Sequence, residues 1–263
     1  MKKFFDMSNR VVIITGAAGN LGSQYAKGLS RSGAKVVLAD LNYNACKKIA
    51  EEIQREYSIE TLPVKLDLRK KNSIKQMVSK TVKKFSKIDV LINNAAYQGN
   101  DKLRTTPFEN FPLTDWNNAL SINLTGIFLC CQEVGKIMLK QKNGNIINIA
   151  STYGIVAPDQ RIYGDSGQNA AAFYSVTKAG IINFSRYLAS YWSRTGIRVN
   201  TLSPGGVENS QGTKFIKTYS EKTMLGRMAK KDEYVEAIIF LASDASSYMT
   251  GSNLVIDGGW TAW

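Results

Sequence analysis

The stretch that decides the fold of this chain lies near its start and reads Arg10-Val11-Val12-Ile13-Ile14-Thr15-Gly16-Ala17-Ala18-Gly19-Asn20-Leu21-Gly22. Its apolar run predicts a short buried strand, its glycines predict a tight turn, and Leu21, Tyr25 and Leu29 at a spacing of four predict a helix. Glycines let a backbone approach a pyrophosphate, and the first turn of a helix presents free N–H groups with a partial positive charge. The stretch therefore predicts a dinucleotide-binding turn.

A second apolar run ends on a carboxylate at the distance that such a turn requires. The run Lys35-Val36-Val37-Leu38-Ala39-Asp40 places Asp40 24 residues after Gly16, where a dinucleotide site needs an acid to bind the adenosine ribose. A carboxylate accepts hydrogen bonds from the ribose diol and repels a 2′-phosphate, and neither Ala17, Ala18 nor Leu41 supplies a compensating cation. NAD is therefore favoured over NADP. The alternative is that Asp40 merely caps a turn.

The rest of the chain alternates short apolar runs with helical spans. We expect strands near 10–15, 35–40, 61–66, 88–92, 145–150, 197–202 and 253–256, with helices between most of them. This alternation predicts an α/β fold of the Rossmann type, a doubly wound, seven-stranded parallel sheet with helices on both faces. With 263 residues, of which 44% are hydrophobic, we expect a single dinucleotide-binding domain over 1–263.

The candidate proton donor and acceptor is Tyr174, four residues before Lys178 in a long helical pattern. The chain contains no histidine, which excludes a Ser-His-Asp hydrolase and any zinc site that relies on imidazole. Residues i and i+4 share one helix face. The Lys178 ammonium is therefore expected to lower the pKa of the phenol from about 10 toward about 7, a change of roughly 4 kcal/mol. Taken alone, the pair also fits an ordinary surface helix.

Further motifs occur in a characteristic order over roughly residues 8–260. They are Thr15-Gly16…Gly22, Asp67-Leu68, Asn93-Asn94-Ala95-Ala96, Asn123, Ser151, Tyr174…Lys178, Pro204-Gly205 and Asp257-Gly258-Gly259. In this order they resemble the short-chain dehydrogenase/reductase family, in its short single-domain branch. The resemblance implies that the dinucleotide is bound by Gly16, Gly19, Asn20, Leu21, Gly22, Asp40, Leu41, Asp67, Leu68, Asn94, Ala95, Ala96, Tyr174, Lys178, Pro204, Gly205 and Val207.

The same resemblance implies a catalytic tetrad of Asn123, Ser151, Tyr174 and Lys178. The reaction it implies moves a hydride between a carbinol carbon and a nicotinamide, so the hydroxyl proton needs a positioned base. Tyr174 is expected to be that base in oxidation and the acid in reduction. Ser151 is expected to hold the substrate oxygen, Lys178 to bind the nicotinamide ribose, and Asn123 to hold a water that relays the proton.

Two departures from the family pattern leave alternatives open. Asn20 stands where this branch usually has a glycine, and the turn also fits the extended branch, which contains nucleotide-sugar epimerases and dehydratases with tightly bound NAD. Ser151 and Tyr174 are 23 residues apart, which is longer than the family usually shows and predicts that 156–169 bulges beside the active site. A third alternative is a non-catalytic dinucleotide sensor, against which the intact set of Ser151, Tyr174 and Lys178 argues.

Three loop segments are expected to surround the reacting carbon: 97–112, 152–169 and 206–226. They are polar and aromatic, with Lys102 and Arg104 able to meet an anion, and we expect substrate contacts from Tyr153, Arg161 and Tyr163. This favours a carbohydrate or other polyhydroxylated substrate, neutral or anionic, over a steroid. The insertion and the ending Gly258-Gly259-Trp260-Thr261-Ala262-Trp263 resemble members linked to bacterial surface-sugar synthesis, including flagellin-modification sugars.

Charge and composition bear on partners and location. The net charge is +13, yet the basic residues form no aromatic-interleaved stripe, so we expect solvated faces rather than nucleic-acid binding. No run approaches a membrane span, and no membrane partner is expected. Three cysteines without metal-ligand spacing indicate reduced thiols, no metal site and a cytoplasmic protein.

The start of the chain and the assembly complete these expectations. The run Met1-Lys2-Lys3-Phe4-Phe5-Asp6 begins like a signal peptide, but Asp6, Asn9 and Arg10 interrupt it, and Met7 is an alternative start. The partner that we expect is a small-molecule substrate. By family resemblance, we expect a homotetramer or a homodimer.

Overall fold

The computed structural model describes residues 4–263, so the first three residues of the signal-like start lie outside the described range. The strands are β1 (Val11–Thr15), β2 (Lys35–Asp40), β3 (Thr61–Lys65), β4 (Val90–Asn93), β5 (Gly144–Ile149), β6 (Ile197–Pro204) and β7 (Asn253–Ile256). The helices are α1 (Asn20–Arg31), α2 (Tyr43–Tyr57), α3 (Lys71–Phe85), α4 (Asp101–Arg104), α5 (Leu113–Leu120), α6 (Gly126–Gln141), α7 (Ala172–Tyr191), α8 (Thr213–Ser220) and α9 (Val235–Ala242).

All seven strands belong to one parallel sheet in the order β3-β2-β1-β4-β5-β6-β7. The chain builds outward from β1 to β3, then returns to β4 beside β1 and builds outward on the other side. The order therefore reverses between β1 and β4, where Thr15 pairs with Asn93. In doubly wound sheets, ligands bind outside the carboxyl ends of the strands at this point. The predicted fold class is confirmed.

Both faces of the sheet are covered because successive side chains of a strand point to opposite faces. In β1, Val11 and Ile13 belong to one hydrophobic core, together with residues of α3, α6 and α7. Val12 and Ile14 belong to a second core, together with residues of α1, α2 and α9. This burial on both faces explains why the strands read as continuous apolar runs rather than as alternating patterns.

One long helical run joins α5 to α6 through a π-helical segment, Ser121–Thr125. The sequence predicted helix from 116 to 137, and the structure extends it to 113–141. This 29-residue run is long and apolar enough to cross a membrane by length and composition, although half of its most apolar window is buried in the fold. The expectation that no run approaches a membrane span is wrong in this respect, because the helix continues through the π segment without interruption.

The segment 156–169 lies in sequence between the end of β5 and the start of α7, and its Tyr163 lines the cavity described below. Short 3-10 turns occur at Thr152–Gly154 and Gln160–Tyr163. The side-chain carbonyl of Gln160 accepts from the Ala170 N–H at 2.9 Å, and its amide donates back to the Ala170 carbonyl at 3.3 Å. These two bonds join the two ends of the segment and close it into a loop.

Candidate active site

A cavity of about 730 Å³ lies at the carboxyl ends of the central strands. Such a volume is within the range of ligand sites in proteins. Sixteen of the seventeen residues expected to bind the dinucleotide line it, at Gly16, Gly19, Asn20, Leu21, Asp40, Leu41, Asp67, Leu68, Asn94, Ala95, Ala96, Tyr174, Lys178, Pro204, Gly205 and Val207. Tertiary folding therefore brings together segments that are spread over almost the whole sequence.

The glycine turn after β1 has the close packing that a pyrophosphate site requires. Gly16 has φ +67°, and a Cβ there would lie 2.7 Å from the Ala95 Cα. Gly22 does not line the cavity; a Cβ there would collide with the Gly16 carbonyl, so this glycine lets α1 pack against the turn. The helix begins at Asn20, directly after Gly19, so its free N–H groups face the cavity end of the sheet. The turn fits a dinucleotide pyrophosphate.

Asp40 ends β2 with both carboxylate oxygens held by backbone. Oδ2 accepts from the Ala18 N–H at 3.1 Å, and Oδ1 accepts from the Asn42 N–H at 2.9 Å. The carboxylate is thereby fixed at the rim that the sequence assigned to the adenosine ribose. A fixed acceptor of this kind suits a ribose diol and disfavours a 2′-phosphate.

Arg69 is a cavity-lining residue that the sequence did not single out. Its guanidinium donates to both oxygens of Asp67, at 2.9 and 3.0 Å, in a fork that is bidentate. The Arg69 guanidinium holds the pKa of Asp67 below its usual value. Because Arg69 is paired with Asp67, its positive charge is directed at that carboxylate. The pair lies at the end of the cavity away from Tyr174.

Three of the four predicted catalytic residues meet where β5 ends. Ser151 follows the strand by two positions, Tyr174 lies in the first turn of α7, and Lys178 lies one turn later. All three line the cavity. The Ser151 hydroxyl accepts from the Tyr153 N–H at 3.2 Å and favours the ionised form of the Tyr174 phenol. The Lys178 ammonium donates to the Ile149 carbonyl at 2.7 Å and lies 5.5 Å from the centre of the Tyr174 ring.

Burial governs the titration of the Tyr174–Lys178 pair. Burial raises the pKa of Tyr174, an effect that the Ser151 hydroxyl partly opposes, and it lowers the pKa of Lys178 to about 8. The sequence predicted the opposite direction for Tyr174. The difference arises because the ammonium is directed to the Ile149 carbonyl, so loss of hydration around the phenol outweighs the effect of the neighbouring cation.

Asn123 is placed differently from the other three. Its side chain is buried in the π-helical segment, where Oδ1 accepts from the Tyr97 N–H at 2.6 Å and Nδ2 donates to the Tyr97 carbonyl at 2.8 Å. Asn123 does not line the cavity, whereas Tyr97 does. The amide thereby fixes the loop that follows β4, and the expected water relay through Asn123 stays a prediction.

The end of the cavity around Tyr174 is an aromatic chamber. Its walls include residues of all three expected loops or their flanks, namely Tyr97, Tyr153, Tyr163, Phe215, Tyr219 and Met228. The Tyr219 hydroxyl accepts from the Gly206 N–H at 2.6 Å, and the Tyr219 ring stacks on Trp260 with centroids 4.3 Å apart. Phe215, Tyr219 and Met228 were not singled out in the sequence, because an isolated apolar residue on a short helix or in a loop carries no local signal.

Of the three expected substrate contacts, Tyr153 and Tyr163 line the chamber and Arg161 does not. The Arg161 guanidinium is largely exposed and donates to both oxygens of Asp159, at 2.8 and 2.9 Å. The Arg161 cation is thus already paired with a carboxylate that lies two residues earlier in the chain. The presence of Asp159 in the sequence could have predicted this pairing.

Comparison with known proteins agrees with this geometry. A family profile described as enoyl-(acyl carrier protein) reductase matches residues 16–261. A solved structure described as a short-chain type dehydrogenase/reductase from Mycobacterium marinum superposes with a TM-score of 0.89, at 28% identity and with both chains fully covered. The chain belongs to the short-chain dehydrogenase/reductase family.

Two curated relatives of this short-chain dehydrogenase/reductase span nearly all of it. The post-translational flagellin modification protein A of Campylobacter coli is 32% identical, covering 97% of this chain and 99% of the relative. The D-threitol dehydrogenase of Mycolicibacterium smegmatis is 34% identical, covering 98% and 95%. Relatives of this enzyme therefore include dehydrogenases that act on CH–OH groups.

Structural neighbours of this short-chain dehydrogenase/reductase use either nicotinamide cofactor. A gluconate 5-dehydrogenase from Burkholderia cenocepacia in complex with NADP and tartrate matches with a TM-score of 0.88, at 28% identity and 99% and 98% coverage. An NAD⁺-bound xylitol dehydrogenase matches with a TM-score of 0.86, at 29% identity and 98% and 100% coverage. The choice between NAD and NADP thus rests on the residues of this chain.

Proposed function

We propose that this protein is an NAD-dependent oxidoreductase that interconverts a secondary alcohol and a ketone on a small polyhydroxylated compound. The observation that carries the proposal is the convergence of Ser151 and Tyr174 on one cavity whose opposite rim carries the fixed carboxylate of Asp40. One end of this cavity is built for proton transfer and the other for a ribose diol.

The proposed chemistry assigns a separate task to each residue. The dinucleotide, when bound, supplies the hydride acceptor or donor. The Ser151 hydroxyl holds the substrate oxygen, and the Tyr174 phenol exchanges the proton of that oxygen as the carbonyl forms or is reduced. Lys178, held by the Ile149 carbonyl, places a positive charge behind the phenol, which favours its ionised form. Gly16, Asp40 and the Pro204-Gly205 turn would hold the cofactor.

The chamber supports a neutral polyol more strongly than an anionic substrate. Of the described residues 4–263, the cations that line the cavity are Lys178, which is bonded to backbone, and Arg69, which is paired with Asp67. The hydroxyls of Tyr153 and Tyr163 make no hydrogen bond within this range and remain available to a sugar hydroxyl. Aromatic rings with such polar tips provide contact area and hydrogen bonding together. The threitol and xylitol dehydrogenases among the matches support the same substrate class.

The other functions that the sequence left open are less well supported. An epimerase or dehydratase would return the hydride to its own substrate, whereas the threitol and gluconate enzymes described above are dehydrogenases. A non-catalytic sensor has no need of the buried Ser151–Tyr174–Lys178 arrangement. By resemblance to the family, we further propose a single-domain cytoplasmic enzyme that assembles as a homotetramer or homodimer.

A substrate panel with a matched variant tests the proposal. The purified protein with NAD is offered threitol, xylitol, glycerol and gluconate, and the absorbance of reduced nicotinamide is followed. We expect net NADH formation with a neutral polyol, and we expect Tyr174→Phe to lose at least about 100-fold in kcat while NAD still binds. Turnover of gluconate alone would contradict a neutral polyol and indicate that the substrate is a sugar acid. Undiminished activity of the variant, or product without net NADH, would contradict the proposed chemistry.

A further inference from the structure

The wall of the substrate chamber is made by two segments that lie far apart in sequence and touch in space. The insertion, residues 156–169, contributes Tyr163, and α8 contributes Phe215 and Tyr219. The rings of Tyr163 and Phe215 are packed with their centroids 5.5 Å apart. The width of the chamber therefore depends on how the insertion is held against α8.

Two ion pairs join the insertion to the α8 region. Asp159 accepts from the Lys222 ammonium at 3.0 Å, two residues beyond the end of α8. Asp165 accepts from the Lys214 ammonium at 3.2 Å, in the first turn of that helix. Both pairs bridge the same two segments, with a carboxylate from the insertion and a lysine from the other side.

The two pairs differ in their surroundings. The Asp165 side chain is 99% exposed and that of Lys214 is 77% exposed, so water and salt screen this pair and it contributes little. The Asp159 side chain is only 19% exposed, and that of Lys222 is 37% exposed. Charges that are partly withdrawn from water are screened less. The Asp159–Lys222 pair is therefore the stronger connection.

Asp159 also organises the insertion itself. It precedes the Gln160–Tyr163 turn and caps it by accepting from the Arg161 N–H at 3.1 Å. The Arg161 guanidinium and the Lys222 ammonium hold the pKa of Asp159 well below its usual range. One carboxylate thus starts the turn that carries Tyr163 and ties that turn to α8.

We infer that Asp159 is a positioning residue that, through Lys222, holds the insertion against α8 and so sets the place of Tyr163 in the substrate chamber. The consequence is that the position of the Tyr163 ring against Phe215, and with it the width of the chamber, depends on the Asp159–Lys222 pair. This inference rests on the proposed function only for the identity of the substrate, because the contact between the two segments exists whatever the chamber binds.

Single substitutions separate the Asp159–Lys222 ion pair from the other contacts of Asp159. Lys222→Gln removes the link to α8 and leaves the Asp159–Arg161 pair and the cap intact. Asp159→Asn removes the charge but keeps an oxygen that can cap the turn. Asp165→Asn is the matched control, because it removes a carboxylate from the same insertion in the exposed pair. Arg161→Gln is a second control, and Lys222→Arg keeps a cation at position 222.

Two measurements on the NAD-loaded protein then decide the inference. By hydrogen exchange, we expect Lys222→Gln and Asp159→Asn to speed exchange at 160–166 and 213–222, while Lys222→Arg and the two controls exchange as the parent does. In kinetics with the polyol found by the panel, we expect the KM of the first two variants to rise about threefold to tenfold. We expect kcat and NAD affinity to stay within about twofold.

Each outcome bears on one proposal. Unchanged exchange in Lys222→Gln, or an equal increase in Asp165→Asn, would overturn the inference, as would a KM that does not respond to the loss of Lys222. If no compound in the panel is turned over, the proposed function fails, and the exchange data still decide whether Asp159 holds the insertion. In that case, an increase of exchange confined to Lys222→Gln and Asp159→Asn supports the inference; where a substrate is found, the rise in KM is required as well.

Discussion

The ammonium of Lys178 donates a hydrogen bond to the carbonyl oxygen of Ile149 at 2.7 Å, inside the fold. Ile149 is the last residue of β5, and Ser151 follows it by two positions. The bond therefore ties α7, which carries Tyr174, to the strand end that carries the serine. Lys178 is only 3% exposed, and within residues 4–263 it forms no ion pair with a carboxylate, so its charge is held in place at the expense of hydration.

The burial of Lys178 predicts a pH-dependent stability. Its pKa falls from 10.5 to about 8 on folding, so between these values the unfolded chain binds a proton that the folded chain has released. The penalty for burying the charge is complete below about pH 8 and disappears as the pH rises toward 10.5. Between pH 7.5 and 9.5, we expect the free energy of unfolding of the parent to rise by about 2 kcal/mol relative to Lys178→Met.

Urea denaturation of both proteins across this interval measures the effect. The interval ends below pH 10, because burial raises the pKa of Tyr174 and ionisation of tyrosine in the unfolded chain would then lower stability. Two curves that remain parallel from pH 7.5 to 9.5 would show that Lys178 does not titrate as its burial requires.

Asp40 is expected to set the cofactor preference. Its carboxylate is fixed by the N–H groups of Ala18 and Asn42, so Asp40→Asn removes the charge while keeping one acceptor oxygen. We expect NAD to bind about tenfold more weakly, because a charged acceptor for the ribose diol is lost, and NADP to bind at least about tenfold more tightly, because repulsion of the 2′-phosphate is relieved. Calorimetric titration with both cofactors measures the ratio.

Asp67→Asn provides the control for this prediction. Asp67 lies on the same rim but is neutralised by the guanidinium of Arg69. Its replacement should leave the ratio of NAD to NADP affinity close to that of the parent. A ratio that shifts equally in both variants would contradict the assignment of selectivity to Asp40.

Tyr219→Phe is expected to weaken the turn that follows β6. The Tyr219 hydroxyl accepts from the Gly206 N–H at 2.6 Å, and its removal leaves a backbone donor without that partner beside the cavity. We expect the free energy of unfolding to fall by about 1–3 kcal/mol and NAD affinity to fall with it, because the neighbouring Gly205 lines the cavity. Thermal unfolding and NAD titration are the measurements.

Tyr153→Phe is the matched change in the same chamber. Its hydroxyl makes no hydrogen bond with the rest of the described chain, so this variant should keep the stability and NAD affinity of the parent and raise only the KM for a polyol. If Tyr219→Phe proved as stable as Tyr153→Phe, the bond to Gly206 would be irrelevant to the turn.

Asn123→Ala is expected to act on stability and on substrate binding rather than on the proton step alone. Both ends of the amide bond to the backbone of Tyr97, so we expect the free energy of unfolding to fall by about 1–3 kcal/mol and the KM for substrate to rise. Asn117→Ala is the control, because Asn117 is exposed in the same helical run and does not line the cavity. A loss confined to kcat, with stability unchanged, would favour the water-relay role instead.

Much of the fold could be read from local patterns. The apolar runs located all seven strands, although β6 extends to Pro204 because its last residues pair with β7. The spacing of Tyr174 and Lys178 predicted that they share one helix face. The position of Asp40 at the end of β2 predicted that it lines the rim of the cavity. These features depend on periodicity or on motifs that remain close in sequence.

Other features depend on how the loops bring distant segments together. The partner of Asn123 is Tyr97, 26 residues away, and the partner of Asp159 is Lys222, 63 residues away. The aromatic wall around Phe215 and Tyr219 depends on where α8 folds back. No pattern within one segment reports the position of another segment across a loop, so neither the pairings nor the chamber could be derived in advance.

The sequence by itself determined a doubly wound sheet with a dinucleotide turn and a tyrosine and lysine on one helix, because backbone periodicity and glycine conformation act over a few residues. Only the tertiary structure decided which groups the charged and polar side chains bond to. It directed Lys178 to the Ile149 carbonyl, Asn123 to Tyr97 and Arg161 to Asp159. The physical reason is that a side chain's hydrogen bonds and hydration are set by whatever folding places beside it.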